Sequence, residues 1–228
     1  MLEEALSYPT SGDRGIGRIL IGGVLTFFWF LIVPILLIYG YVVRSMGAAA
    51  TGQETPVEFE DWGGMLVDGL KALVISIAYG IIPFAIAVFF TTIATAGGAA
   101  AGDSGAAGVF AGLGLLGAIL NFIASLVVSY VLWAALTNFA VEGNIGAAFD
   151  FSTIKQVITS DAYILAFVLF IGIYIALALI AVLVGIVTFG LAFILYIIIG
   201  PFFAFWFYLV IAYLFGSAYH DAVGESAA

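Results

Sequence analysis

Five apolar stretches, at about residues 19–43, 72–93, 108–141, 162–187 and 191–213, carry no Asp, Glu, Lys, Arg or His in their central halves. At about 1.5 Å of rise per residue, each is long enough as a helix to cross a hydrocarbon core of about 30 Å. Open strands cannot satisfy their backbone in lipid, so every span is expected to be helical. Composition points to the same solvent. The chain is 65% hydrophobic and 8% charged, with a mean hydropathy of +1.28, where soluble domains are about 45–50% apolar and about a quarter charged. The sequence reads as an all-α integral membrane protein, one polytopic domain over residues 1–228. Five transmembrane helices and two short amphipathic interfacial helices are expected, or four or six spans if the long third one is miscounted.

The polar segments set the ends of these helices. Glu3, Glu4, Arg14 and Arg18 precede the first span, and an acidic start of this kind is a poor signal peptide. Thr55-Pro56-Val57-Glu58 has the form of a capping box with proline at the first helical position, and Asp61 is a rival cap. Phe59, Trp62, Leu66 and Leu70 then recur every three or four residues, opposite Glu60, Asp61, Asp68 and Lys71. That pattern is either an interfacial helix with Trp62 at head-group depth or the first turns of span two. A small-residue turn carrying Asp103 joins spans two and three. Gly143-Asn144 suits a left-handed helix end. Residues 145–160 form a second surface element with Ile154, Val157 and Ile158 on one face, and Ser160 or Asp161 caps the helix beyond. Thr188-Phe189-Gly190 is a tight hairpin. The tail from Gly216, with His220, Asp221 and Glu225, is expected to be frayed or interfacial. Arg14 and Arg18 on one side against Arg44, Lys71 and Lys155 on the other leave orientation unset under the positive-inside rule.

Ion-coupled pumps usually keep an ionisable group in mid-span, despite a cost of about 2.5–3.5 kcal/mol. This chain has none there, which argues against a coupled transporter. Pro34, Pro83 and Pro201 are expected as packing kinks; a paired Gly/Pro interruption is also the sequence mark of a transport site. Asn121, Ser125 and Ser129 fall at i, i+4 and i+8 as one polar stripe, which is expected to bond neighbouring helices before it lines a pathway. Gly108 and Gly112 form a GxxxG. The aromatic run from Phe202 to Tyr208 reads as a lipid-facing belt. His220 is the only imidazole and lacks companions at metal-ligand spacing; no cysteine is present. No catalytic centre, cofactor or metal site is expected. A net charge of −9 makes nucleic acid a poor partner, leaving membrane lipid and other membrane proteins.

Gly22-Gly23, Tyr39-Gly40-Tyr41 with Arg44, Pro56, Asp61-Trp62, Asp68-Gly69-Leu70 and Tyr79-Gly80-Ile81-Ile82-Pro83 form a series of short glycine-aromatic motifs. With Gly143-Asn144 and Ala147-Ala148-Phe149-Asp150, the chain resembles a polytopic membrane family of archaea, prevalent in halophiles and defined only as a domain of unknown function. The resemblance implies a multi-pass protein of the cell membrane in a high-salt setting. It carries over no functional residue. Two functions are open: a non-enzymatic scaffold or accessory subunit binding lipid or partner proteins, and a facilitative carrier or channel through the proline-interrupted spans.

Overall fold

Pro34 decides where the first apolar stretch breaks. Proline is tolerated in the first turn of a helix, where its missing N–H is not needed. The chain meets that demand by ending one helix and starting another just ahead of it. In the computed structural model, which describes residues 1–102 and 106–224, α2 (Gly15–Phe27) stops at a turn and α3 (Ile32–Ala50) begins two residues before Pro34. The single helix expected over residues 19–43 is therefore a helical hairpin, and Pro34 is no mid-span kink. The N–H groups of Phe28, Trp29 and Leu31 donate to the carbonyls of Leu25, Thr26 and Phe28 at 3.1, 3.1 and 2.9 Å. The turn thus pairs most of its own backbone donors, while the side chains of Trp29, Phe30 and Ile32 point outward at 65–76% exposure. Such a tip suits hydrocarbon.

The other helices are α1 (Leu2–Ser7), α4 (Trp62–Ala101), α5 (Ala106–Glu142), α6 (Phe151–Ile158), α7 (Asp161–Val187) and α8 (Ala192–Gly224), with no strand among the described residues. Helices α3, α4, α5, α7 and α8 are each long and apolar enough to cross a membrane. The all-helical class with five such helices stands, and α2, at about 20 Å, is a sixth, shorter apolar helix. Asp103 and Glu225 lie outside the described residues.

Local side-chain chemistry sets most boundaries. Gly143 ends α5 in the left-handed region, with φ +73°, a conformation open to glycine for want of a Cβ. Asn144 Oδ1 accepts from the Ala147 N–H at 3.0 Å, Asp150 caps α6, and Ser160 Oγ accepts from the Tyr163 N–H at 3.2 Å to open α7. At the start of α4 it is Asp61 that caps, its Oδ1 accepting from the Gly64 N–H at 3.0 Å; the box expected at Thr55–Glu58 lies in the loop. The first surface helix is accordingly not separate but the opening turns of a 40-residue α4. The second surface element does contain a helix of its own, α6, with Ile154 and Val157 buried. The tail is also reassigned. α8 runs on to Gly224 with Gly216, Ala218, Tyr219 and Ala222 buried, so it is packed helix rather than frayed end.

Two compact units divide the chain: Met1–Leu73 with Trp133–Ala228, and Val74–Leu132. The first has a core of Tyr8, Leu37, Tyr41, Ala49, Met65, Phe205 and Leu209, continued by Phe215 against Trp133 and Tyr163, each with ring centroids 5.4 Å away. α2 enters this core edge-on because Gly22 and Gly23 seat the rings of Phe205 and Phe202 where a Cβ would stand. Away from that core α8 is bare: every residue from Phe193 to Ile199 is exposed. Seven successive residues cover two helical turns, so no face of the helix there is fully covered.

The second unit is a hairpin of α4 beyond Leu73 and α5 before Trp133. Gly117 seats Phe90, Gly97 seats Phe110, and Gly114 lies against the Ala94 methyl. The close approach therefore uses Gly114 and Gly117. Gly108 and Gly112 of the expected GxxxG have open space around them. Pro83 does lie inside α4, as Pro201 lies inside α8.

Candidate functional site

The charged side chains of the first unit converge where α3 ends, α4 begins and α8 ends. Arg44 lies late in α3, about two turns before its end at Ala50. Its Nε donates to Asp68 Oδ2 at 2.7 Å and its Nη2 to Asp61 Oδ2 at 3.1 Å, while Lys71 Nζ stands 3.6 Å from the other Asp68 oxygen. Two carboxylates between two cations make a chain of charge compensation on partly exposed groups, so solvent screening leaves each pair taken alone a small contribution.

Arg18 is the opposite case. It is 2% exposed and holds the loop between α3 and α4 from beneath. Its Nη1 donates to the Pro56 carbonyl at 2.7 Å and its Nη2 to the Ser11 carbonyl, with Glu58 Oε1 4.0 Å away. The same loop is held from the other side by Tyr41, whose hydroxyl donates to the Val57 carbonyl at 2.6 Å and whose ring stacks on Phe59 with centroids 4.0 Å apart. Tyr8 closes the arrangement. Burial pushes its phenol well above the ordinary value, so it stays protonated and donates to the Ser45 carbonyl at 3.0 Å.

Beside this loop lies a cleft of about 350 Å³ lined by Glu4, Gln53, Glu54, Tyr213, His220 and Asp221, among others. His220 Nδ1 is 3.0 Å from the Ala50 carbonyl. A carbonyl only accepts, so Nδ1 carries the proton and Nε2 is left as the basic atom. Three carboxylates line it, and one of them, Glu4, is paired with the Met1 ammonium. Even so, no three His, Cys, Asp or Glu among the described residues are placed to hold a metal ion.

A buried polar link secures the end of α8. Asn138 is 3% exposed; its Nδ2 donates to the Ala147 carbonyl at 2.8 Å and its Oδ1 accepts from the Tyr219 hydroxyl at 2.6 Å. Asn138 and Tyr219 were not among the residues picked out by spacing, because they lie 81 positions apart.

The residues that spacing did pick out are dispersed. Of the expected apolar face, Phe59 packs on Tyr41 and Leu66 against the core, while Trp62 and Leu70 are exposed at 41% and 52%. Asn121, Ser125 and Ser129 are half-buried in the second unit. Extending the register of Gly117 on Phe90 places them on the face of α5 turned toward α4, about level with Pro83. Ser129 Oγ donates to the Leu126 carbonyl of its own helix at 2.9 Å, and Asn121 Oδ1 is buried without a partner.

The geometry at Asp61 gives a pH dependence. The Gly64 N–H and then the Arg44 guanidinium hold its carboxyl below the ordinary 3.8. A folded-state value below the unfolded one means that ionised Asp61 stabilises the fold above that pH, and that the contribution is lost as pH falls through the folded value. Thermal midpoints in detergent are expected to drop as pH falls from about 5 to below the ordinary 3.8, and to drop less in Asp61→Asn. An equal acid response in the two proteins would remove Asp61 from the account.

Residues 24–186 match a family described as protein of unknown function (DUF4013). No curated protein and no solved structure matches the chain.

Proposed function

The chain belongs to the DUF4013 family, and from that premise, which brings no chemistry with it, we propose a non-enzymatic scaffold or accessory subunit of the cell membrane. It holds lipid or a partner membrane protein along its uncovered hairpins. One observation carries the reading: α8 leaves all seven residues from Phe193 to Ile199 exposed, while the charged end of the same unit is densely packed and cross-linked by side-chain hydrogen bonds. An apolar stretch left bare at one end of a unit whose other end is packed calls for lipid or protein to cover it. Fourteen acidic against five basic residues, with the resemblance drawn above, support a high-salt archaeal setting.

The facilitative carrier is favoured by one feature, the unpartnered Asn121 Oδ1 on the inner face of the α4–α5 hairpin. The two readings part at Ser125. The chain has no cysteine, so Ser125→Cys in native membranes reports water access at that depth when challenged with a membrane-impermeant maleimide. The scaffold predicts no labelling there, alongside full labelling of Glu54→Cys in the same opened vesicles. Labelling of Ser125→Cys at a comparable rate means a water-filled path, and overturns the scaffold.

A further inference from the structure

We infer that the charged end of the first unit is the cytoplasmic face and that the N-terminal segment and the end of α8 both lie on it. The inference rests on the membrane reading above. Counted along the sequence, with one helix over residues 19–43, the basic residues split two against three and orient nothing. The α2–α3 hairpin changes the count, because the chain now turns back before Arg44. Arg14 Nη1 lies 3.7 Å from Glu60, Arg18 bonds Pro56, Arg44 bonds Asp61 and Asp68, and Lys71 pairs with Asp68. Arg14, Arg18 and Arg44 therefore meet at one loop, and Lys71 joins Arg44 through their shared Asp68. Lys155 is on α6, whose Gln156 donates to the Ala222 carbonyl at 3.1 Å near the end of α8. His220, on that same stretch of α8, lies against Ala50 at the end of α3. All five Lys and Arg of the chain are at one end.

The opposite end of this unit has none. The turns at residues 28–31 and 188–191 read Phe-Trp-Phe-Leu and Thr-Phe-Gly-Leu. Lys71 Nζ stands 6.0 Å from the Phe139 ring centroid, so the opening turns of α4 and the last turns of α5 meet at the charged end. Lysine and arginine close to span ends are retained on the cytoplasmic side, and acidic residues weigh little in that rule. Five against none is a decisive asymmetry where two against three was not. The ring of Tyr8 lies 4.9 Å from that of Tyr213, which puts the start of the chain beside the last turns of α8.

Single cysteines in this chain, which has none of its own, test this in intact cells with an impermeant maleimide. Glu54→Cys, Ser7→Cys and Asp221→Cys are expected to label only after permeabilisation. Thr188→Cys and Phe189→Cys, in the α7–α8 turn, are expected to label from outside. Labelling of Glu54→Cys in intact cells overturns the orientation, and so does silence of both turn cysteines before permeabilisation with labelling after it. If Ser7→Cys and Asp221→Cys label from opposite sides, the shared side of the termini is wrong. A charge swap keeps the test independent of any one cysteine. Removing Arg14 and Lys155 while adding lysines at Phe189 and Leu191 is expected to give a mixed or inverted pattern, and an unchanged pattern means that the basic residues do not set orientation. None of these outcomes depends on water access at Ser125, so this inference and the scaffold reading fail separately.

Discussion

Replacing Arg18 with methionine is expected to cost about 3–5 kcal/mol and to free the loop between α3 and α4. The guanidinium is 2% exposed and serves two carbonyls, Pro56 and Ser11, from segments on either side of it. Hydrogen bonds that involve a charged group are worth about 1.5–3 kcal/mol each, and truncation also strands two buried acceptors. Arg18 Nε has no partner, which keeps the expected loss toward the lower end. Methionine fills much of the volume, so the loss reports hydrogen bonding rather than a cavity. Glu58 separates this account from one based on ion pairing. Its side chain is 36% exposed and 4.0 Å away, so Glu58→Gln should change stability by less than about 1 kcal/mol. Arg18→Lys should fall between the two, since an ammonium on a single stem does not reproduce the two-pronged fork. Thermal unfolding in detergent and proteolysis across residues 51–61 read the series. An Arg18→Met protein as stable and as protease-resistant as its parent would falsify the anchoring role.

Arg18 also shows where sequence reasoning reached its limit. Next to a span that starts at residue 19, an arginine looks like an ordinary boundary charge, and its main partner lies 38 positions away. No local pattern carries that information. The break at residues 28–31 was hidden for a different reason: its turn is made of Phe, Trp, Phe and Leu, which hydropathy cannot tell from helix. The signal that was present is Pro34, whose demand for a first-turn position puts a helix start just upstream. The end of α8 was legible too. Phe215, Ala218, Tyr219 and Ala222 are all buried, and their spacing of i, i+3, i+4 and i+7 continues one helix face beyond the polar residues that suggested fraying.

Ends fixed by short-range chemistry were read well. Gly143, Asn144 and Ser160 act within three residues of themselves, and the capping rules describe interactions of that range. The first surface helix was left as a choice between two readings because Asp61 is a good cap for either. What decides it is that α4 continues past Lys71 without interruption. The stripe of Asn121, Ser125 and Ser129 follows from helical spacing alone. Spacing alone does not tell whether water or a helix lies opposite, and the cysteine at Ser125 asks that question directly.

Glycines give the last and largest contrast, because the same substitution has opposite signs at different positions. At the crossing of α3 and α4, a Cβ on Gly40 would run into the Met65 carbonyl and one on Gly69 into the Leu36 carbonyl, with the Gly69 and Gly40 backbone nitrogens at 3.1 and 3.0 Å respectively. Each helix meets bare backbone, which does not rotate out of the way. Gly40→Ala and Gly69→Ala must therefore push the helices apart, straining the Arg44–Asp68 contact a turn further on, and are expected to cost about 3 kcal/mol or more, at the upper end for overpacking. Gly22→Ala also collides, but with the Phe205 ring, a side chain that can shift, so its cost should be smaller. Gly17 has nothing within 4 Å, and alanine there should stabilise by about 0.8–1 kcal/mol through helix propensity alone. The expected order of thermal midpoints in one detergent is Gly17→Ala above the parent, then Gly22→Ala, then Gly40→Ala and Gly69→Ala. If Gly40→Ala melts at or above Gly22→Ala, the two backbones do not meet there, and the placement of α4 against α3 is wrong.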